Sequence, residues 1–312
     1  MNKFLLACLV TLATASAQAQ PAASCPPQAT APTPQQVQDA QAQARDRGFL
    51  WRVSKDGRTH HLFGTIHVGK LEWAFPGPKL RAALADAQTV AFELDPLDPA
   101  VQGSLRSAGA DSAKLAPALD AQLSRELERA CIPAQALAGL HPMMQAMTAM
   151  LLDAARDGLH VAYGQEIVLA ATARARRLRT VSLETPERQM AALIPTDATL
   201  AEHYLASTLE QMQSGQGRQV LLRMAAAWER GDLREIENYE RWCDCVKSAD
   251  DRAMLTALND ERNPAMAERI DALHGEGQRL FIAIGALHMT GPKALPVLLR
   301  ARGFRVERVD FR

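Results

Sequence analysis

Two short motifs in this sequence have a form that can bring histidines to a chemical site. The first is Gly64-x-x-His67, at the end of the apolar run in LFGTIHVG. The second is Gly285-x-x-His288, at the end of the apolar run in FIAIGALHMTG. Glycine lets the chain turn sharply where a strand ends and leaves space for a ligand beside the backbone. A histidine three residues later supplies an imidazole that can bind a metal ion or carry a proton.

Two glutamates occupy the same kind of position as these histidines. Glu93 ends the apolar run TVAFEL, and Glu184 ends RTVSLE. The carboxyl ends of parallel strands form the edge where open α/β sheets bind ligands. Imidazole nitrogens and carboxylate oxygens are suitable ligands for a divalent metal ion, which lowers the pKa of a bound water. We therefore predict a divalent metal ion held by His67, Glu93 and His288, with Glu184 as a general base or as a supporting carboxylate.

Each of these residues also has an ordinary structural interpretation. A single histidine after a strand is often a hydrogen-bonding turn residue, and a glutamate there is often solvated or paired with arginine. Glu184 also precedes TPER, the start of a helix that it could cap. The repetition of Gly-x-x-His in two matching strand–helix–strand contexts favours one shared site.

The remaining histidines have no spacing that indicates a partner. His60 and His61 are adjacent on one strand, whose alternation directs them to opposite faces, and we expect both at the surface. Four others fall in or between helical segments: His141, His160, His203 and His274.

The elements that must position the site alternate between strands and helices at both ends of the chain. FLWRVSKDGRTHHLFGTIH predicts a β-hairpin, because two β-prone runs flank the Asp-Gly of KDGR. Helical patterns dominate residues 115–278, with one strand predicted near 180–184, and the strands RLFIAIG and FRVERVDF follow. The sequence therefore predicts an α/β fold, whose central, largely parallel sheet comes from both ends of the chain and carries a large helical insertion.

The beginning of the chain has the composition of a secretory signal. A lysine, an apolar stretch and Ala17-Gln18-Ala19 predict a signal peptide over residues 1–19. Residues 20–47 are predicted to form a leader rich in Pro, Gln and Ala with a short helix, and 48–312 the α/β domain. We expect an exported protein without a transmembrane segment in its mature chain, periplasmic if the source is Gram-negative. The formal net charge of zero over 312 residues gives no reason to expect nucleic acid as a partner.

Four cysteines remain after the predicted signal peptide: Cys25, Cys131, Cys243 and Cys245. An even number in an oxidising compartment predicts disulfides, and four cysteines allow three pairings. A ring closed between Cys243 and Cys245 would be tight. Cys243 and Cys245 therefore need not pair with each other, each can instead reach Cys25 or Cys131, and the sequence leaves the pairing open; the structural role is favoured over a redox role.

Several segments, in this order, resemble the TraB/GumN family: LFGTIHVG, AFELD, YGQEIVLAATARARRLRTVSLETPERQMAAL, LNDERNPAMAERI and FIAIGALHMTGPKALPVLLRARGFRVERV. The resemblance covers nearly all of residues 48–310. The family is similar to the Tiki proteins, which are metal-dependent proteases, and more distantly to erythromycin esterases and a haem-binding lipoprotein group.

The resemblance implies a metal-assisted hydrolase site. His67, Glu93 and His288 match the motif residues of the family, and Glu184 and Arg262 match further family positions. Arg262 is expected to stabilise an oxyanion or bind a carboxylate. Glu166 in YGQE departs from the family pattern, where an aspartate is expected, and this departure puts its role in doubt.

The sequence thus favours an exported metal-dependent hydrolase, a peptidase, acting on a peptide or small-molecule substrate. One alternative is a non-catalytic envelope protein that binds haem, metal or peptide in the same cleft. Another is an accessory factor in polysaccharide export.

Overall fold

A computed structural model describes residues 25–107 and 114–311 of the chain. The predicted signal peptide, residues 1–19, lies outside the described residues. Within the described ranges, no helix is both long enough and apolar enough to span a bilayer.

A six-stranded sheet forms the centre of the molecule, in the order β4-β3-β5-β2-β1-β6. Strands β2, β5, β3 and β4 are parallel neighbours, whereas β1 is antiparallel to both β2 and β6. This mixed and mostly parallel sheet confirms the predicted α/β class. The strands are β1 Phe49–Lys55, β2 Arg58–Thr65, β3 Thr89–Phe92, β4 Arg179–Ser182, β5 Leu280–Gly285 and β6 Arg305–Val309.

The hairpin of β1 and β2 forms where the Asp-Gly turn predicts it. Asp56 and Gly57 have φ angles of 50° and 73°. Tight two-residue hairpin turns need such positive values, which aspartate tolerates and glycine adopts freely. The turn sets Phe49 opposite Gly64, so that β2 ends beside the start of β1.

Strand β5 joins the two halves of the sheet, since it pairs with β2 on one side and β3 on the other. Its side chains from Leu280 to Ile284 are almost fully buried, as expected for a central strand covered on both faces. The aromatic residues of the core around it have no more than 1% of their surface exposed: Phe49, Phe63, Phe92, Trp228 and Phe281.

Helices cover the sheet and build most of the segment between β3 and β5. The α-helices of the described residues are α1 Pro34–Ala42, α2 Pro78–Asp86, α3 Pro99–Ser107, α4 Pro117–Arg129, α5 Pro142–Asp153, α6 Gln165–Ala175, α7 Pro186–Leu193, α8 Ala198–Gln213, α9 Gln216–Arg230, α10 Leu233–Glu237, α11 Tyr239–Trp242, α12 Ala249–Leu258, α13 Asn263–Gly275 and α14 Leu295–Ala301. A 3₁₀ turn, Ala286–Met289, follows β5 directly. Helices α4, α5 and α8 pack around a second apolar core of their own, which includes Leu123, Ala146 and Leu209.

All four cysteines form disulfides, in one of the three pairings that the sequence left open. Cys25 pairs with Cys131 and Cys243 pairs with Cys245. The tight ring between Cys243 and Cys245 therefore does form. The short ring closes because Asp244 adopts a φ of 50°, in the left-handed region.

The expected surface position of His60 was also wrong, because its side chain is fully buried. The end of α13 and the loop before β6 cover this part of β2, and the ring packs against His274 and Phe304. His61, the next residue, is partly exposed.

Candidate active site

The four residues predicted from strand ends all follow parallel strands at one edge of the sheet. His67 comes two residues after β2, and Glu93 directly follows β3. Glu184 comes two residues after β4, and His288 lies in the 3₁₀ turn after β5. Since these strands are parallel neighbours in the order β4-β3-β5-β2, their carboxyl ends meet at one cleft.

His288 is held in one orientation by Asn263, the first residue of α13. Its Nδ1 lies 2.7 Å from Asn263 Oδ1, an acceptor, so Nδ1 carries the hydrogen and Nε2 has the lone pair. Nε2 faces Glu93 Oε1 at 3.6 Å and Arg262 Nη1 at 3.5 Å. Burial lowers the pKa of His288 to about 4, so this ring is neutral at pH 7.

Glu93 is fixed by both of its carboxylate oxygens. The backbone N–H of Gly285 donates to Oε1 at 2.7 Å, and Arg262 Nη2 donates to Oε2 at 2.6 Å. Burial favours the neutral acid, but the neighbouring imidazoles and the Arg262 guanidinium outweigh it and lower the pKa of Glu93 to about 2. An ionised carboxylate therefore lies 3.6 Å from Nε2 of His288.

Arg262 connects Glu93 to Glu184. Its Nε donates to Glu184 Oε2 at 3.1 Å and its Nη2 to Glu184 Oε1, while the Glu184 side chain is completely buried. Burial raises the pKa of Glu184 in spite of this pairing. Burial favours a neutral guanidine, but the two carboxylates raise the pKa of Arg262 above its usual value. Glu184 does not cap α7, because the hydroxyl of Thr185 accepts the hydrogen bond from the first turn.

His67, in the loop after β2, pairs with Glu166. Its Nδ1 is 3.1 Å from Glu166 Oε1, which also accepts a hydrogen bond of 2.5 Å from the Thr65 hydroxyl. The charge of Glu166 raises the pKa of His67 to about 9. The ring is 63% exposed, so this shift reflects the neighbouring carboxylate and not burial. Burial would raise the pKa of Glu166, but His67 lowers it overall.

Glu166 is thus a site residue that the sequence left in doubt. It lies in the first turn of α6, which starts at Gln165 after Gly164. The backbone N–H of Gln165 donates to the carbonyl of Ile66 at 2.9 Å and ties the helix start to the His67 loop. In the sequence, this contact was indicated by the YGQE segment, which is one of the segments that carry the family resemblance.

The glycines of both motifs make room for close contacts in the cleft. A Cβ on Gly285 would lie 3.1 Å from Glu93 Oε1, and one on Gly64 would lie 3.2 Å from the Phe49 ring. Around the His67 loop the packing is closer still. A Cβ on Gly164 would come within 2.3 Å of the His67 carbonyl oxygen, so only glycine permits this approach.

The donor chemistry of the cleft fits a divalent metal ion. Both motif histidines have Nδ1 held by a protein oxygen, Glu166 Oε1 or Asn263 Oδ1, so Nε2 is the nitrogen that would bind an ion. Metal-binding histidines are oriented in this way by their outer hydrogen bonds. Within residues 25–107 and 114–311, no three His, Cys, Asp or Glu side chains are already gathered at metal-binding spacing. The cation that contacts Glu93 in this arrangement is Arg262.

Comparison with known proteins gives a consistent assignment over most of the chain. A family model described as the TraB/PrgY/gumN family matches residues 49–308. The chain is 24% identical over 282 residues to the uncharacterized protein YbaP of Escherichia coli (strain K12), covering 83% of this chain and 96% of that protein. The uncharacterized protein YbaP of Shigella flexneri matches with the same identity and coverage. No solved structure matches the chain.

Proposed function

This chain belongs to the TraB/PrgY/gumN family, and we propose that it is an exported metal-dependent hydrolase acting on peptides. One observation carries the proposal. The two histidines of the repeated motif follow neighbouring parallel strands, each has Nδ1 held by a protein oxygen, and the ionised Glu93 carboxylate lies 3.6 Å from His288 Nε2. Such a set can bind a cation and a reacting carbonyl together.

In this proposal His67, Glu93 and His288 hold the divalent ion. When bound, the ion supplies Lewis acidity that polarises the carbonyl of the substrate. The protein keeps His288 neutral and Glu93 ionised, which are the protonation states that ligands require. His67 is protonated at pH 7 in the absence of metal, so metal binding releases its proton.

In this proposal Arg262 supplies positive charge close to the substrate. Its side chain is 7% exposed, and the buried Glu184 fixes its orientation through two hydrogen bonds. Its Nη1 donates to the Leu258 carbonyl at 2.9 Å, so a developing oxyanion would be stabilised by the fixed charge of Arg262 and not by a free N–H. The role that this geometry supports for Glu184 is to position Arg262, since both of its oxygens accept hydrogen bonds from that residue.

Glu166 has the matching role beside His67. It accepts from both His67 Nδ1 and the Thr65 hydroxyl, which fixes the ring. With Nδ1 held in this way, Nε2 is the nitrogen that would bind the ion.

Two features support export. The apolar stretch before Ala17-Gln18-Ala19 predicts a signal peptide. The two disulfides are typical of proteins from oxidising compartments. In a Gram-negative source the proposed location is the periplasm.

The test is a metal analysis of the purified protein together with cleavage of a peptide library. Wild type should bind about one divalent ion per chain and cleave a subset of the peptides. His67→Ala should lose both properties while keeping its circular dichroism spectrum. His160→Ala, a change at a partly buried histidine outside the constellation, should keep both. Metal-independent cleavage, or a wild-type protein that binds metal without any turnover, would reject the hydrolase mechanism.

A further inference from the structure

The Cys243–Cys245 disulfide encloses a single intervening residue, whereas Cys25–Cys131 spans 106 positions of the sequence. We propose that Cys243–Cys245 is a redox-active site that oxidises dithiol peptides by thiol–disulfide exchange. This activity is independent of the cleft at the sheet edge.

The first argument is the small size of the ring. A disulfide stabilises a fold mainly by restricting the unfolded chain, and this effect grows with the length of the closed loop. A link between residues two positions apart restricts the unfolded chain very little. A disulfide that adds little to folding is correspondingly easier to reduce. The Cys25–Cys131 disulfide closes a long loop, so it restricts the unfolded chain strongly and serves as an internal reference.

The second argument is the backbone inside the ring. Asp244 has a φ of 50°, in the left-handed region that residues other than glycine adopt at a cost in free energy. The closed ring imposes this conformation, and the Gln216 side chain supports it by donating to the carbonyls of Cys243 at 2.9 Å and of Asp244 at 2.6 Å. Reduction removes the constraint of the ring, which favours the dithiol form.

The third argument is the unequal exposure of the two sulfurs. Cys243 is 1% exposed, whereas Cys245 is half-buried and is the one that an external thiol can reach. The backbone N–H of Cys245 lies 3.1 Å from Cys243 Sγ and can donate to it. The inner sulfur therefore already has a hydrogen-bond donor for the negative charge that it receives when the bond breaks. The Tyr239 hydroxyl lies 3.4 Å from Cys245 Sγ on the accessible side.

The exposed position of Cys245 and the buried position of Cys243 set the order of steps in the proposed thiol–disulfide exchange. A substrate thiolate attacks Cys245 Sγ, a new S–S bond forms, and the electron pair of the old bond moves to Cys243 Sγ. The second thiolate of the substrate then attacks its own sulfur in the mixed disulfide and releases Cys245. The substrate dithiol is oxidised to a disulfide, the protein disulfide is reduced, and the two protons end on Cys243 and Cys245.

The test titrates the folded full chain in glutathione buffers, followed by alkylation and mass spectrometry of each cysteine peptide. Cys243–Cys245 should be half-reduced at a ratio [GSH]²/[GSSG] at least about tenfold below that for Cys25–Cys131, a difference of about 30 mV. Equal ratios, or earlier reduction of Cys25–Cys131, would overturn the proposal.

A second measurement tests the exchange itself with a synthetic peptide carrying two cysteines. Wild type should convert about one peptide dithiol per chain to the disulfide, and Cys25→Ser/Cys131→Ser should retain this ability. Cys243→Ser/Cys245→Ser should lose it. If that variant does not fold, wild type that has been reduced and alkylated only at Cys243 and Cys245 replaces it. Peptide oxidation that survives both treatments contradicts the assignment.

Discussion

Two pairs of histidines, one at each end of the parallel strands, use the same residue type in opposite ways. At the carboxyl edge, His67 and His288 each have Nδ1 held by a side-chain oxygen, and His288 Nε2 lies 3.6 Å from Glu93 Oε1 and 3.5 Å from Arg262 Nη1. At the amino end, His60 accepts from the Leu280 N–H at 3.1 Å and lies 2.9 Å from His274 through its other nitrogen. The second nitrogen of His288 therefore faces charged groups, whereas the second nitrogen of His60 faces another imidazole.

The charges around the two pairs differ as well. Three carboxylates and Arg262 surround the carboxyl-edge pair: Glu93, Glu166 and Glu184. The amino-end pair meets one carboxylate, Asp56, 3.3 Å from His274 Nε2 and 77% exposed. Burial, followed by the nearby His274 and Arg58, lowers the pKa of His60 to about 4. Glu166 has the opposite effect on the pKa of His67, which it raises.

The largest expected effect concerns turnover at the carboxyl edge. His288→Ala should reduce peptide cleavage by about 10²- to 10⁴-fold, because the imidazole that would hold the ion beside Glu93 is removed. His60→Gln should leave kcat/KM within about twofold of wild type at a temperature where both proteins are folded. If both variants lose the same share of kcat/KM, the carboxyl-edge histidines are no more important for cleavage than the amino-end histidines.

The next effect concerns stability at neutral pH. Arg262→Ala leaves Glu93 and Glu184 without their shared cation and should lower the free energy of unfolding by about 3–5 kcal/mol. Urea denaturation at pH 7 provides the measurement. The matched control is Arg179→Ala, which removes an exposed ion pair with Glu276 and should cost less than about 1 kcal/mol. A cost for Arg262→Ala as small as that of the control would mean that the network contributes nothing to the fold.

The third prediction concerns acid stability at the amino end. His60 has a pKa of about 4 in the folded protein, against an unperturbed 6.5. Between these pH values the unfolded chain binds more protons, so stability falls as the pH drops from 6.5 and levels off below 4. The loss from this residue should be about 3 kcal/mol. Urea denaturation from pH 7 to 4 should show that His60→Gln removes this part of the pH dependence, and that His203→Gln, at a 47% exposed side chain, retains it.

The smallest expected effect is on stability and concerns the close packing around Gly285, in the second Gly-x-x-His motif. Gly285→Ala places a Cβ 3.1 Å from Glu93 Oε1 and should destabilise the fold by about 1 kcal/mol. Gly103→Ala provides the contrast, because a Cβ there meets nothing within 4 Å and lies within α3. This control should stabilise the protein by about 0.5–1 kcal/mol. Thermal unfolding of the two variants should shift in opposite directions.

The carboxyl edge could be predicted from the sequence because local rules determine it. KDGR specifies the hairpin turn, and the apolar runs locate the strand ends that carry His67, Glu93 and His288. The buried position of His60 could not be derived in this way. Alternation along a strand separates two faces, but helices and loops from distant parts of the chain cover both faces of this sheet.

The hydrogen-bond partners of the site residues could not be predicted from local sequence patterns either. Glu166 is 101 positions from Thr65, which donates to it, and Asn263 is 25 positions from His288. Such contacts arise from the way helices dock at the sheet edge. The pairing of Cys243 with Cys245 could not be predicted from the sequence either. The short ring closes because Asp244 adopts the left-handed conformation.

The position of β5 makes assembly of the candidate site depend on the last part of the chain. Strands β2 and β3 come early in the sequence, yet the strand that separates them begins only at Leu280. Until β5 is in place, both strands keep an open edge, which exposes the chain to misassociation. Glu93 also lacks the N–H of Gly285 that fixes its carboxylate. A chain that ends before residue 285 therefore cannot assemble the site, so the proposed hydrolysis would require almost the full length of the polypeptide.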